Sequence, residues 1–188
     1  MFDFKNNISP KRGHLLISSP FMKDVFFGRS VILLAEHNSD GSIGFILNKP
    51  VKLLLKDIIP DLKDVNLNLY LGGPVNTNRL FYIHSLGEEI PGSVPILDEI
   101  YWGGDFEVIK EYVGDDKYKD EIKFFIGYSG WSPNQIDKEI NEYSWVVSKH
   151  TMDIIKNVNT EDMWKEALKR MNGKFKIISN FPVDPILN

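Results

Sequence analysis

Gly127-Tyr128-Ser129-Gly130 sets a serine between two glycines, with Asp137 and then His150 downstream, the chain order of a Ser-Asp-His hydrolase triad. The spacing fails. A nucleophile elbow needs glycine two residues after the serine, and the bulky Trp131 stands there. Asp137 also follows too closely to act as a distant triad member, so these glycines read as turn residues. The four histidines, His14, His37, His84 and His150, fall at no metal-ligand spacing, and the chain has no cysteine. No metal and no cofactor are expected. His37, at a strand end, is the best polar candidate among them; strand alternation turns the neighbouring Glu36 to the opposite face. Arg29-Ser30 follows Phe26-Phe27-Gly28 directly ahead of an apolar run. A guanidinium there offers a planar fork for carboxylate or phosphate, or else an internal salt bridge or carbonyl clamp. Asn48 and Gln135, amides at element ends, suit a ligand or a turn equally. Gly72-Gly73-Pro74 could aim backbone N–H groups at an anion, or could serve only the turn itself.

The elements that must position these residues are legible from periodicity. Leu15-Leu16-Ile17 reads as a short strand, and Ser30 to His37 as a central strand apolar on both faces. Ser39-Asp40-Gly41-Ser42 predicts a hairpin turn into a strand over Ile43 to Leu47. Further strands are expected at Leu67–Leu71, Leu80–Ile83, Ile100–Trp102 and Ile122–Ile126, with Trp145-Val146-Val147 a strand or extended edge. Helices are expected at Leu53–Ile59, after the cap Asp105, and from Thr160 to about residue 172, closed by Asn172-Gly173. After Ile126 the glycines predict a turn, then a helix with Ser132 as cap, Pro133 first and Gln135 reaching back in a capping box. Ile136, Ile140 and Tyr143 would form its buried stripe. The pattern is α+β or mixed α/β, with part of the sheet antiparallel.

Composition bounds the function. The 188 residues suit one domain, 43% hydrophobic and 26% charged, so a packed core is expected. The net charge of −4 argues against a dedicated DNA-binding module. The short basic clusters, Lys11-Arg12, Lys169-Arg170 and Lys174 with Lys176, read as solvated faces. The polar segment from Met1 to Arg12 is no signal peptide, and no run is long enough to span a bilayer, which makes a cytoplasmic location the expectation.

Several motifs in fixed order carry a resemblance. They are Leu15 to Pro20, Phe27-Gly28-Arg29-Ser30-Val31, Glu36-His37-Asn38 and Gly44-Phe45-Ile46-Leu47-Asn48-Lys49-Pro50. They continue with Gly72-Gly73-Pro74-Val75 and Gly127 to Trp131, followed by Gln135 and Glu139. Together they resemble the AlgH/YqgE family of bacterial proteins, over roughly residues 13–145. The resemblance implies a single α+β domain whose mixed, bifurcated sheet curls into a partial barrel with helices packed outside. Members are treated as cytosolic and often labelled transcriptional regulators, with no established reaction or cofactor. This chain carries Lys49 where many relatives have Arg, and Ser132-Pro133-Asn134 where Gly is frequent before the glutamine. The reading that follows is a non-enzymatic regulatory or binding module for a small anionic ligand or a protein partner. Its candidate ligand-binding residues are Arg29, Ser30, His37, Asn48, Gly72, Gly73, Tyr128 and Gln135. The alternatives are a hydrolase or transferase acting on a phosphorylated or carboxylated metabolite, and direct DNA binding.

Overall fold

The computed structural model describes residues 4–171 and 173–182. In chain order its strands are β1 (Leu15–Ser18), β2 (Val31–Asn38), β3 (Gly41–Ile46), β4 (Pro50–Leu54) and β5 (Asn68–Leu71). They continue as β6 (Val75–His84), β7 (Val94–Leu97), β8 (Ile100–Trp102), β9 (Ile122–Trp131) and β10 (Trp145–Ser148). The α-helices are α1 (Leu55–Ile58), α2 (Phe106–Val113), α3 (Gln135–Asn141), α4 (Thr151–Asn157), α5 (Met163–Arg170) and α6 (Lys174–Ile178). This is an α+β fold, and the chain divides into two compact units: Met1–Asn48 with Gly130–Asn188, and Lys49–Ser129.

In the first unit the strands run in the order β10-β1-β2-β3, antiparallel throughout. Val31 to Ala35 are fully buried, as expected of a central strand covered on both faces. One face of this sheet carries Leu16, Ile32, Leu34, Ile46, Trp145 and Val147, covered by Trp131 and by Ile136 and Ile140 of α3. Against β1 and β2 packs α5, whose Trp164 indole N–H donates to the Ser18 carbonyl at 2.9 Å. The register between β2 and β3 skips Ala35, a bulge, so that Glu36 opposes Ile43 and His37 opposes Ser42. Gly41 closes the hairpin at φ 134; a Cβ there would stand 2.4 Å from the Trp131 carbonyl oxygen.

Several local expectations change. The Gly127–Trp131 run is no turn but the second half of β9, which continues straight through it. Its helix starts at Gln135, two residues later than the cap-and-proline signal implies. Ser132 to Gln135 instead forms a turn in which Gln135 N–H donates to the Ser132 carbonyl at 3.1 Å and Asn134 is left-handed at φ 64, ψ −1. Proline second and a left-handed residue third define a type II turn. Asn134 thus stands where glycine would serve equally. Gln135 does reach back, its Oε1 accepting from Ser132 N–H at 2.9 Å. Tyr143 lies beyond α3, also left-handed at φ 62. The helix predicted from Thr160 begins at Met163, because the Asn159 side chain takes the Asp162 N–H at 3.0 Å in a preceding turn. Its expected apolar face, Met163, Trp164, Ala167 and Leu168, is buried. Asn172, expected to help close it, lies outside the described residues.

The second unit orders its strands β4-β5-β9-β6-β8-β7, with β5 and β9 parallel and the other pairs antiparallel. Its core gathers Leu55, Leu69, Tyr82, Ile109, Val113 and Phe124. Asp105 caps α2 as expected, accepting from Glu107 N–H at 2.9 Å. The helix expected at Leu53–Ile59 shrinks to the single turn α1, since residues 50–54 pair with β5.

Candidate functional site

Arg29, Ser30 and Asn48 come together at the start of β2. Asn48 Oδ1 accepts from Val31 N–H and its Nδ2 donates to the Arg29 carbonyl, both at 2.9 Å. One amide therefore ties the segment after β3 to the entry of β2, through one bond accepted and one donated. Arg29 is held at φ 51, a left-handed conformation uncommon outside glycine, asparagine and aspartate. Its guanidinium lies 4.4 Å from the centre of the Trp164 ring and donates to the carbonyls of Phe181 and Pro182 at 2.6 Å each. Burial lowers its pKa, and no Asp or Glu side chain among the described residues pairs with it. Ser30 is fully buried; its N–H donates to Ser18 Oγ at 2.9 Å, while its own Oγ has no partner among the described residues.

Gly72, Gly73 and Tyr128 meet in the second unit, where the turn after β5 lies against β9. A Cβ on Gly72 would sit 2.2 Å from the Gly127 carbonyl oxygen, and one on Gly73 2.3 Å from that of Tyr128. A Cβ on Gly127, at φ 67, would stand 2.7 Å from the carbonyl oxygens of both Gly73 and Val75. The glycines permit backbone-on-backbone contact, and Gly72 N–H is already given to the Ile126 carbonyl at 2.9 Å. Ser129, fully buried, donates to the Gly72 carbonyl at 2.9 Å. It locks the turn. Tyr128 packs edge-on against Phe81, ring centres 5.5 Å apart.

His37 lies at the far end of β2 from Arg29, eight residues on, about 26 Å at strand rise. Its Nδ1 is 2.7 Å from Ser42 Oγ. Gln135 Nε2 donates to Glu139 Oε1 at 2.8 Å, and Glu139 Oε2 also accepts the indole N–H groups of Trp131 at 3.0 Å and Trp145 at 2.7 Å. Glu139 has no signal in the sequence beyond its place in the ordered motifs; only the fold makes it a shared acceptor for two tryptophans. Both ends of the Gln135 amide are thus engaged within α3 and the turn before it.

The sequence showed no nucleophile beside a base, yet the fold makes two Ser–His contacts. In the second, His84 Nε2 lies 3.0 Å from Ser93 Oγ and 3.2 Å from the Gly103 carbonyl. Ser93 spends its hydroxyl proton on the Ile90 carbonyl at 2.7 Å, and His84 is 1% exposed. Ser42 is buried as well, at 7%.

With antiparallel and parallel pairing mixed around β9, and glycine turns serving the backbone, the fold defines an α+β scaffold with a half-buried guanidinium at the entry of β2. The family model described as AlgH-like matches residues 15–176, and the chain belongs to that family. It is 46% identical to a UPF0301 protein of Bacteroides fragilis over 97% of this chain and 94% of that protein. A UPF0301 protein of Bacteroides thetaiotaomicron is 45% identical over the same shares. The solution structure of the AlgH protein from Pseudomonas aeruginosa is similar at a TM-score of 0.71 and 25% identity, covering 94% of this chain and 98% of that one. A crystal structure of a Corynebacterium diphtheriae protein shares the fold at a TM-score of 0.78 and 20% identity, covering 94% and 95%. No helix among the described residues is long and apolar enough to cross a membrane.

Proposed function

We propose that this protein is a non-enzymatic regulatory or binding module of the cytoplasm that takes a small carboxylate, or an acidic segment of a protein partner, at Arg29. The observation that carries this reading is a half-buried guanidinium with only neutral partners, kept in a backbone conformation that costs a non-glycine residue about 1 kcal/mol. Such strain persists where the side chain is needed. The next residue, Ser30, is fully buried, and its hydroxyl has no hydrogen-bond partner among the described residues. A carboxylate would take the guanidinium in a bidentate pair, stronger than the two carbonyl bonds it replaces. Regulation would act through that ligand or partner, the net charge of −4 disfavouring direct contact with DNA. The curling of the sheet into a partial barrel belongs to the same proposal, with a solved structure as its check.

The test is titration with succinate, read from the Arg29 Nε–H and Trp164 indole resonances. Binding that is abolished in Arg29→Ala and weakened in Arg29→Lys, which keeps charge but loses the fork, supports the site. Equal binding of succinate and of all captured proteins by parent and Arg29→Ala would sink it.

A further inference from the structure

The register brings a second set of cations together that the sequence leaves scattered. Leu15 pairs with Ser148, so His14 and Lys149 are the next residues along each strand. The ladder between β1 and β2 runs on past Leu15: Leu34 N–H donates to the His14 carbonyl at 3.0 Å, and Gly13 N–H to the Leu34 carbonyl at 2.8 Å. The start of β1, the end of β2 and the end of β10 therefore share one end of the sheet. Face follows from parity. His14 alternates with Leu16, on the face of Leu34 and Ile46. His37 opposes Ser42, which alternates with Gly44 and Ile46, so the bulge at Ala35 delivers His37 to that same face.

Both imidazoles are pre-oriented. His14 Nδ1 is engaged by the Ser9 carbonyl at 3.2 Å and His37 Nδ1 by Ser42 Oγ at 2.7 Å, leaving each Nε2 to face a ligand. Lys149, Lys11 and His37 all act on His14 in the direction that opposes its protonation. Other groups from the surrounding elements are accounted for. Arg12 on the same turn adds positive charge, Glu36 points to the opposite face, and Asp40 lies at the tip of the β2–β3 turn. His150 follows Lys149, and Asp153 of α4 is paired with Arg170.

We propose that His14, His37 and Lys149, with Lys11 at the margin, form a binding site for a tetrahedral dianion, the phosphate monoester of a small soluble molecule. Point donors brought from three strands to one end of the sheet suit a tetrahedral group better than a planar carboxylate, whose two oxygens lie in one plane. Burial and the neighbouring cations hold His14 below its ordinary pKa, so a bound dianion restores its proton and affinity rises as pH falls. This site is independent of Arg29, which lies at the other end of β2.

The experiment is a sodium sulfate titration of the full chain, followed through the histidine ring resonances; sulfate keeps a fixed double charge over the range used. Sulfate is expected to shift His14 and His37 and to bind roughly tenfold tighter at about pH 5.5 than at about pH 7.5. Lys149→Ala and His37→Gln each weaken it several-fold, whereas Arg29→Ala leaves it unchanged. Lys149 is exposed, and glutamine can still meet Ser42, so matching melting curves verify that both variants fold. Methyl phosphate is expected to bind more tightly than dimethyl phosphate, which carries one charge fewer. Sulfate binding indifferent to pH and to both substitutions overturns the proposal. So does tighter binding of dimethyl phosphate or of a duplex oligonucleotide, which would indicate a diester surface.

Discussion

Replacing Asn48 by alanine removes a clamp whose cost can be worked out bond by bond. Two hydrogen bonds of 2.9 Å are lost, one to Val31 N–H and one to the Arg29 carbonyl. Val31 is fully buried, so its N–H is left without water or partner. A buried donor stranded in this way costs about 1–3 kcal/mol, and the second, more exposed bond about 0.5–1.5 kcal/mol. Asn48→Ala should therefore destabilise the protein by about 2–4 kcal/mol, or about 4–16 °C in melting temperature for a chain of this size. Asn48→Asp separates the two bonds. Its carboxylate still accepts from Val31 but meets the Arg29 carbonyl with no proton to give, so it should fall between parent and alanine. The assay is urea unfolding monitored both by circular dichroism and by tryptophan fluorescence, because a chain of two compact units need not unfold in one step. An alanine variant within about 0.5 kcal/mol of the parent would refute the clamp.

Two further outcomes are expected. In Glu139→Gln an amide N–H₂ faces donors that a carboxylate oxygen now accepts, which costs about 1–3 kcal/mol and alters the fluorescence of Trp131 and Trp145; unchanged emission and stability would remove Glu139 as their shared acceptor. His84 is buried with no partner for Nδ1 among the described residues, and burial lowers its pKa from 6.5. Its neutral form is favoured in the folded state, so this contribution to stability is complete above pH 6.5 and is lost as pH falls toward the lowered native value. Denaturant midpoints measured across that window should decline less steeply in His84→Phe, and parallel slopes would contradict the assignment.

Local signals settled much of the fold. The apolar run of β2 was readable because a strand covered on both faces needs consecutive apolar residues, and the Asp40-Gly41 hairpin because glycine takes a positive φ, here 134, without a Cβ clash against its own backbone. The cap at Asp105 was readable for the same local reason. Where the reading erred, a tertiary neighbour outweighed a local preference. Gly127 looked like a turn but is a strand residue, required by the backbone of Gly73 and Val75 from a distant segment. Ser132-Pro133 carried a helix-start signal, yet Asn134 took the left-handed position and made a type II turn first.

The sequence by itself determined the family and the inventory of polar residues, because ordered motifs and side-chain chemistry survive without coordinates. What each residue faces was decided only by strand register. A single skipped residue at Ala35 turns His37 toward Ser42 and the face shared with His14, while Asn48 and Gln135 are absorbed by groups 17 and 4 residues away. Side chains alternate along a strand with period two, so one bulge reverses every facing beyond it, and no pattern of residue types announces that reversal.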